Sequence, residues 1–306
     1  MPAFSTHYIF AKEMMPKIKE AANFEVNENA VYIGTQGPDI FFFHRIFPWQ
    51  KGKSLRKAGS AFHHAKFGDV LDDFAVYCNH SGNKSVAQSY VIGFILHYAL
   101  DRNCHPYVYS LQNKITQKNN KLNPNSVHNT IEFSIDSVML NLKYGILNPK
   151  KFETAGLINC TNEEKQEIAK VLASAKSEIA PLTFSESDVQ TAIEDIKYAQ
   201  KLLFDPAGKK EKLIKPLENA AAPFTKNFKL SSFIKPDDLE KAKKYVNINN
   251  RAWISPFSNI KSRENVFDLY EKSKTDAINM ITAYLNENKG QDITHNLSFL
   301  TGVEVK

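Results

Sequence analysis

The stretch SVAQSYVIGFILHYALDRNCHPYVY, residues 85–109, places three kinds of metal-binding side chain in an otherwise apolar run. Residues 91–100 are apolar apart from one histidine, which predicts a helix covered on every side by other helices. His97, Asp101 and His105 follow one another at intervals of four, so an α-helix stacks them along one face. A buried carboxylate needs a partner, and a divalent metal shared with neutral imidazoles provides one.

A structural hydrogen-bond network is the alternative interpretation of that face. Asp101 would then cap a histidine or hold Arg102, and Pro106 would mark a kink or the end of the helix. After a turn-rich connection, QNKITQKNNKLNPNS, the next predicted helix places His128 and Glu132 again at i and i+4. Two consecutive helices with ligand pairs at helical spacing favour the metal.

Composition is typical of a globular protein, with 306 residues, 42% hydrophobic and 24% charged, and fits one large domain or two. A net charge of +6 allows an anionic substrate or a membrane surface without requiring nucleic acid. The three cysteines, Cys78, Cys104 and Cys160, lack C-x-x-C spacing, so neither a disulfide framework nor a cysteine zinc site is predicted. We expect a cytoplasmic protein, because no apolar run has the form of a signal peptide or a membrane span.

Upstream, a first helix is predicted from about Ser5 to Glu20, with Ser5 or Thr6 as N-cap and His7 in its first turn. The segment NENAVYIGTQGPDIFFFHRIFPW predicts a short helical piece that breaks at its glycines and proline, leaving Asp39 exposed on a loop. The aromatic residues that follow either line an apolar cleft or fill the core.

The segment LRKAGSAFHHAKFGDVLDDFAVYC predicts one or two helices. Adjacent residues on a helix lie about 100° apart, so at most one of His63 and His64 can face an inward site. Downstream, four further segments predict helices, whereas residues 206–235, rich in proline and lysine, read as an irregular surface connection. We divide the chain into a helical domain, residues 1–205, and a C-terminal helical extension, residues 206–306, packed on the same domain.

In order and residue type, the chain from about His7 to Glu132 resembles the zinc-dependent phospholipase C family, whose bacterial members have an all-helical fold and a three-zinc phosphodiesterase site. The resemblance is carried by STHYIFA, IGTQGPDIFFF, GSAFHHAK, YVIGFILHYALDRNCHPYVY and the pair His128 and Glu132. It implies an all-α, multi-helix bundle of the phospholipase C and P1 nuclease type, with extra C-terminal helices.

The resemblance also implies a ligand set: a first zinc held by Asp39, His63, His97 and Asp101, a second by His105, His128 and Glu132, and a third by His7 with Asp101 as a bridge. His63 rather than His64 follows the family's small-apolar-His pattern. Secreted relatives complete the third position with an N-terminal Trp, whereas this chain begins Met1-Pro2-Ala3-Phe4, so two or three zinc ions are expected.

The activity implied by the resemblance is hydrolysis of a phosphodiester, phospholipase C-like, by a zinc-activated water that Asp39 both orients and helps to bind. The expected partner is a phospholipid or another phosphodiester, with peripheral membrane contact compatible and no stable nucleic-acid complex expected. Two alternatives remain open. One is a zinc-dependent single-strand nuclease or general phosphodiesterase; the other is a helical protein that binds metal without turnover.

Overall fold

The computed structural model describes residues 3–47 and 49–305, and most of these residues are helical. Two short strands, β1 (Trp253–Ile254) and β2 (Lys261–Ser262), form an antiparallel hairpin. The predicted all-α fold is therefore confirmed. Within these ranges the α-helices are α1 (Phe4–Ala21), α2 (Glu28–Gly34), α3 (Arg56–His64), α4 (Phe67–His80), α5 (Lys84–Lys118), α6 (Pro124–Tyr144), α7 (Asn162–Ser174), α8 (Glu186–Leu203), α9 (Lys209–Ala220), α10 (Leu239–Ala242), α11 (Val266–Leu285) and α12 (Gly290–Thr294). Short 3₁₀ helices are Gly37–Phe43, Pro149–Lys151, Ala155–Leu157, Lys176–Ile179, Leu230–Phe233 and Lys243–Tyr245.

Helix α5 is the central element, 35 residues long, and every residue from Ser89 to Asp101 is buried. Helices α2, α4, α6, α7 and α11 pack around it, which confirms the prediction of a helix covered on all sides. The helix does not end near Pro106 but continues to Lys118, so the predicted connection from Gln112 begins only at Asn119. The free energy gained by burying the first half of α5 outweighs the loss of the single backbone hydrogen bond that a proline removes.

Helix α2 lies directly against α5 because two glycines meet. A Cβ atom on Gly93 would come within 2.3 Å of the Val31 carbonyl oxygen, and one on Gly34 within 2.3 Å of the Tyr90 carbonyl oxygen. Only glycines permit such an approach of two backbones. The chain that leaves α2 is thereby held against the turn of α5 that carries His97.

Helix α1 begins one residue earlier than predicted, and the cap differs from the prediction. The N-cap position is Ala3, whereas Ser5 and Thr6 lie inside the helix. Their backbone N–H groups donate to the carboxylate of Asp136 on α6, at 2.8 and 2.9 Å, and the Thr6 hydroxyl donates to it at 2.6 Å. A buried carboxylate from another helix therefore satisfies the first N–H groups of α1.

The C-terminal part packs on the same helices. Helix α11 contacts α5 and α1, and α12 contacts α4. The segment after α12 returns to α5, where the Tyr98 hydroxyl donates to the Leu297 carbonyl oxygen at 2.6 Å. None of the described helices combines the length and the apolar character needed to cross a bilayer.

The segment 206–235, predicted as irregular, contains helix α9. The Asp205 carboxylate accepts hydrogen bonds from the backbone N–H groups of Lys210 and Glu211, at 3.1 and 2.9 Å. Asp205 precedes the N-cap residue Gly208 by three positions, so no standard capping pattern identifies it in the sequence.

Candidate metal centre

Five elements bring all eight predicted ligand residues into one region. Helix α5 contributes three of them, α6 two, and α1, α3 and the 3₁₀ helix Gly37–Phe43 one each. Ligand atoms lie within 4.8 Å of one another in three groups. The groups are His7, His97 and Asp101; Asp39, His63 and His97; and His105, His128 and Glu132. All of these residues are buried except His128, which is partly exposed.

The distances within the first two groups suit a shared zinc ion. Nε2 of His97 lies 3.1 Å from Asp101 Oδ2, and Nε2 of His63 lies 3.4 Å from Asp39 Oδ1 and 3.7 Å from Asp101 Oδ2. Two atoms that each bind one tetrahedral zinc at its usual bond lengths are about 3.3 Å apart.

Asp101 lies between two of the groups. Its Oδ1 atom is 3.1 Å from Nε2 of His7, while its Oδ2 atom faces His97 and His63. The His7 ring stacks on the His97 ring, with centroids 4.6 Å apart. A carboxylate that directs one oxygen to each of two ligand groups is suited to bridge two cations.

The polar atoms of this region are strongly buried and unsatisfied. Among the described residues, ten buried side-chain nitrogen or oxygen atoms have no hydrogen-bond partner, and six of them belong to four residues here. The six are both ring nitrogens of His7, Asp39 Oδ1, His97 Nε2 and both oxygens of Asp101. An unsatisfied buried polar atom costs about 1–3 kcal/mol, so their concentration in one place calls for a ligand. The donor set, imidazole nitrogens and carboxylate oxygens, fits zinc.

Four of the imidazoles are oriented by hydrogen bonds on the far side of the ring. The Nδ1 atoms of His63, His97 and His105 lie 2.7, 3.0 and 2.7 Å from the carbonyl oxygens of Gly59, Thr35 and Phe299. Nδ1 of His128 lies 2.7 Å from the Gln112 side-chain oxygen. A carbonyl oxygen only accepts, so Nδ1 carries the proton and the Nε2 lone pair is free for a metal.

Phe299 is a contributor that sequence reasoning missed. Its carbonyl oxygen accepts from His105, 194 positions away in the chain, and its buried ring packs against the rings of His63 and His97. Every residue carries a carbonyl, so no side-chain pattern could have identified this one. The C-terminal segment is thus part of the wall of the centre.

Asp39 is buried, in contrast to the predicted exposed loop. It lies in the 3₁₀ helix that begins at Gly37, whose φ is +50°. A Cβ atom on Gly37 would lie 2.4 Å from the His97 ring, so a glycine is required for this turn to close against α5. Closure of the turn removes the Asp39 carboxylate from solvent and directs it toward His63.

Burial and the neighbouring charges together set the protonation of four of the ligand-type residues. It lowers the pKa of His7 to about 4 and holds the pKa of His105 well below its usual value, so both imidazoles are neutral at pH 7. Burial alone would raise the pKa of Asp101 and Glu132, but the facing histidines outweigh it and lower both values, that of Glu132 to about 2. Neutral imidazoles and ionised carboxylates are the forms that bind metal.

The pKa values of Asp39 and His97 are raised, in contrast to those of the four residues above. Burial raises the pKa of Asp39 to about 6, against the opposing effect of His63. Burial would lower the pKa of His97, but Asp101 and Asp39 outweigh it and raise the value. The metal-free protein therefore shares protons among these groups, and a cation would displace them.

Other histidines and cysteines of this part of the chain do not belong to the ligand groups. His64 is exposed, with Nδ1 2.7 Å from the Ser60 carbonyl oxygen. His44 is buried away from the centre and its Nδ1 accepts from the Leu55 N–H at 3.0 Å. Cys104 is buried, which raises the pKa of its thiol to about 12. The third zinc position was expected to depend on the N-terminal residues. Of these, Met1 and Pro2 lie outside the residues that the structure describes.

The aromatic residues that follow Asp39 in the sequence do not form one apolar cleft. Phe41 is part of the core, and Phe42 stacks on the His63 ring with centroids 5.6 Å apart. Trp49, which stacks on Phe47, is 62% exposed. The side of the centre that is partly open is flanked instead by Tyr109, which contacts the His128 and Phe257 rings.

Metal content gives a first prediction. Protein purified without chelators is expected to hold at least two zinc equivalents per chain, because the His105, His128 and Glu132 group is separate from the two groups that share His97. Elemental analysis of fresh protein measures this. Less than one equivalent of any transition metal would contradict the assignment of the centre.

Comparison with known proteins gives one match. A family model described as zinc dependent phospholipase C matches residues 6–186, a span that contains all eight ligand-type residues. Comparisons with the curated proteins and with the solved structures found no match. Helices α9–α12 and Phe299 lie outside the matched span.

Proposed function

The chain belongs to the zinc-dependent phospholipase C family, and on this premise we propose that it is a metal-dependent hydrolase of phosphodiesters, with a phospholipid as the preferred substrate. The observation that carries the proposal is the convergence of eight imidazole and carboxylate side chains with six unsatisfied atoms in one buried region. His7 Nε2 and His97 Nε2 each lie 3.1 Å from one oxygen of Asp101 without forming a hydrogen bond, so a structural hydrogen-bond network does not satisfy these atoms, whereas a shared cation would.

The residues that would hold zinc are those of the three ligand groups. Zinc, when bound, supplies the positive charge that makes a water acidic enough to attack at neutral pH and that offsets the charge building up on phosphate. Hydrolysis then forms a bond from the water oxygen to phosphorus and breaks the ester bond to the leaving alcohol. The leaving oxygen takes up a proton, and the products are an alcohol and a phosphomonoester.

We assign the positioning of the attacking water to Asp39. Its Oδ1 atom has no hydrogen-bond partner among the described residues, and its pKa of about 6 lies near neutrality, which suits a carboxylate that accepts a proton and releases it again. His63, 3.4 Å away, fixes the direction of the carboxylate. Tyr109 and Phe257, at the partly open side, provide an apolar surface for the non-reacting part of the substrate.

The adjacent pair His63 and His64 tests the proposal. His63→Ala is expected to lower hydrolysis of bis(p-nitrophenyl) phosphate by about a hundredfold or more, because a ligand-type imidazole is removed from the centre. His64→Ala is the matched control and should retain most of the activity, since His64 is exposed. The opposite result would show that the register of α3 is wrong by one residue.

The substrate class is tested on the unmodified protein. Hydrolysis of phosphatidylcholine in preference to single-stranded DNA supports the phospholipase assignment, whereas the reverse preference would favour a nuclease. A protein that is loaded with zinc but inert toward every phosphodiester would contradict the proposed activity and favour a metal-binding protein without turnover.

A further inference from the structure

Helix α9 is oriented with polar side chains inward, the reverse of an ordinary surface helix. None of its twelve residues is buried. Its inner side is held by polar contacts: Glu211 accepts from Lys150 Nζ at 2.7 Å, and Glu218 accepts from the Ser231 hydroxyl at 2.6 Å. An amphipathic helix in a soluble protein normally directs its apolar stripe to the core. In α9 the inner side carries Glu211 and Glu218 together with a single partly buried apolar residue, Ile214.

Two leucines of α9 face solvent. Leu213 is 67% exposed and Leu217, one turn later on the same side, is 64% exposed. Phe224, in the turn that follows the helix, is 91% exposed, the largest value among the large hydrophobic side chains that the structure describes. Single exposed leucines are ordinary, but two exposed leucines one turn apart, followed in the chain by an exposed phenylalanine, indicate an interaction surface.

Lysines surround this surface. Residues 209–229 contain six lysines and two glutamates, and both glutamates make the inward contacts described above. Lys209 precedes Leu213 by one turn on the same side of the helix, and Lys212 and Lys226 are also exposed. The outer side of this segment is therefore both apolar and cationic.

The segment that follows α9 lies on the first turns of α6, beside the candidate metal centre. Asn123 donates to the Lys226 carbonyl oxygen at 3.0 Å, and the Lys229 N–H donates to the Ser126 hydroxyl at 2.7 Å. Asn129 donates to Ser232 at 3.2 Å. His128, the partly exposed ligand-type residue, lies between Ser126 and Asn129 on α6. The exposed surface and the open side of the centre thus share one end of α6.

We propose that the outer side of α9 and its following turn, the surface formed by Leu213, Leu217, Phe224 and the adjacent lysines, docks on an anionic phospholipid bilayer. The apolar side chains would enter the interfacial region while the lysines meet the lipid phosphates, the pattern of interfacial helices that lie in the membrane plane. The docking surface stands on its own observations. Its use in bringing the metal centre to the lipid rests on the proposed function.

Co-sedimentation with vesicles tests the docking surface. The full-length protein should bind vesicles of phosphatidylcholine mixed with phosphatidylserine more tightly than vesicles of phosphatidylcholine alone, and added salt should weaken the binding. Leu213→Ser and Phe224→Ser should each weaken binding about tenfold, and Lys209→Ala and Lys212→Ala about fivefold each. The control is Val76→Ser on α4, where an apolar side chain is similarly exposed at 63%; this variant should bind like the unmodified protein.

Equal binding by Leu213→Ser, Phe224→Ser and the unmodified protein, or an equal loss in Val76→Ser, would overturn the proposal. A second outcome would also overturn the proposal. If the protein does not bind vesicles but self-associates with rising concentration, and Leu213→Ser abolishes this, then the surface binds a second copy of the chain. Hydrolysis of bis(p-nitrophenyl) phosphate, which is soluble, should be unchanged in all of these variants. Vesicle binding without any hydrolysis would refute the proposed function and support the docking surface, and hydrolysis without vesicle binding would do the reverse.

Discussion

Replacement of His97 by Ala is expected to remove metal and activity together, with hydrolysis of a soluble phosphodiester reduced by about a thousandfold or more. His97 belongs to two of the three ligand groups, so its loss affects both. Asp101→Asn should act in the same way, because it keeps the shape of the side chain but removes the negative charge that lies 3.1 Å from both His97 and His7. Metal equivalents and kcat/KM are measured on the same preparation.

Both variants should also unfold at a lower temperature than the unmodified protein. Metal binding free energy is part of the folding free energy when the ligands are buried, and the remaining ligands become buried groups without their cation. His44→Ala separates this effect from general destabilisation, because His44 is fully buried but lies outside the ligand groups. It should lose stability while retaining its metal. Full metal loading in both His97→Ala and Asp101→Asn would refute the ligand assignment.

The second large effect concerns Asp136. Asp136→Ala is expected to lower the free energy of unfolding by about 3 kcal/mol, because two backbone N–H groups and the Thr6 hydroxyl lose their acceptor in a buried region. Burial raises the pKa of this carboxyl, and its hydrogen bonds to Thr6 and Ser5 oppose that shift, so release from desolvation offsets part of the loss. Urea unfolding measures the change. A decrease below about 1 kcal/mol would contradict the capping role.

Asp136→Asn provides the graded comparison. The amide keeps one oxygen acceptor, so this variant should lose less stability than Asp136→Ala. Because Thr6 precedes His7, both variants should also weaken metal binding at the group formed by His7, His97 and Asp101, while the His105, His128 and Glu132 group remains loaded. Elemental analysis at limiting zinc detects the difference.

The helices that carry the ligand-type residues, and the burial of α5, could be predicted because residues close together in the sequence determine them. The intervals of four among His97, Asp101 and His105, set in an apolar run, were sufficient to predict a buried α5 with those side chains on one face. The pair His128 and Glu132 on α6 follows the same rule. Which ions they hold stays a prediction.

Features that depend on distant residues could not be predicted. The cap of α1 comes from Asp136, 130 positions beyond Thr6, so the local capping rule pointed to Ser5 or Thr6 instead. Asp39 was expected on an exposed loop, because proline and glycines indicate a turn but do not show that the turn closes against His97. Helix α9 was missed because the prolines and lysines of residues 206–235 indicated an irregular connection, although Pro216 lies inside the helix.

The hydrogen bond from His105 to the Phe299 carbonyl oxygen would link metal binding at His105 to the packing of the C-terminal segment on α5. A cation held by His105 would favour the tautomer with a proton on Nδ1, the atom that lies 2.7 Å from the Phe299 carbonyl oxygen. By reciprocity, packing of the C-terminal segment on α5 would raise the metal affinity by the same factor by which bound metal would favour that packing. Bound zinc would therefore strengthen the attachment of residues 297–304 to α5, although no residue of that segment belongs to a ligand group.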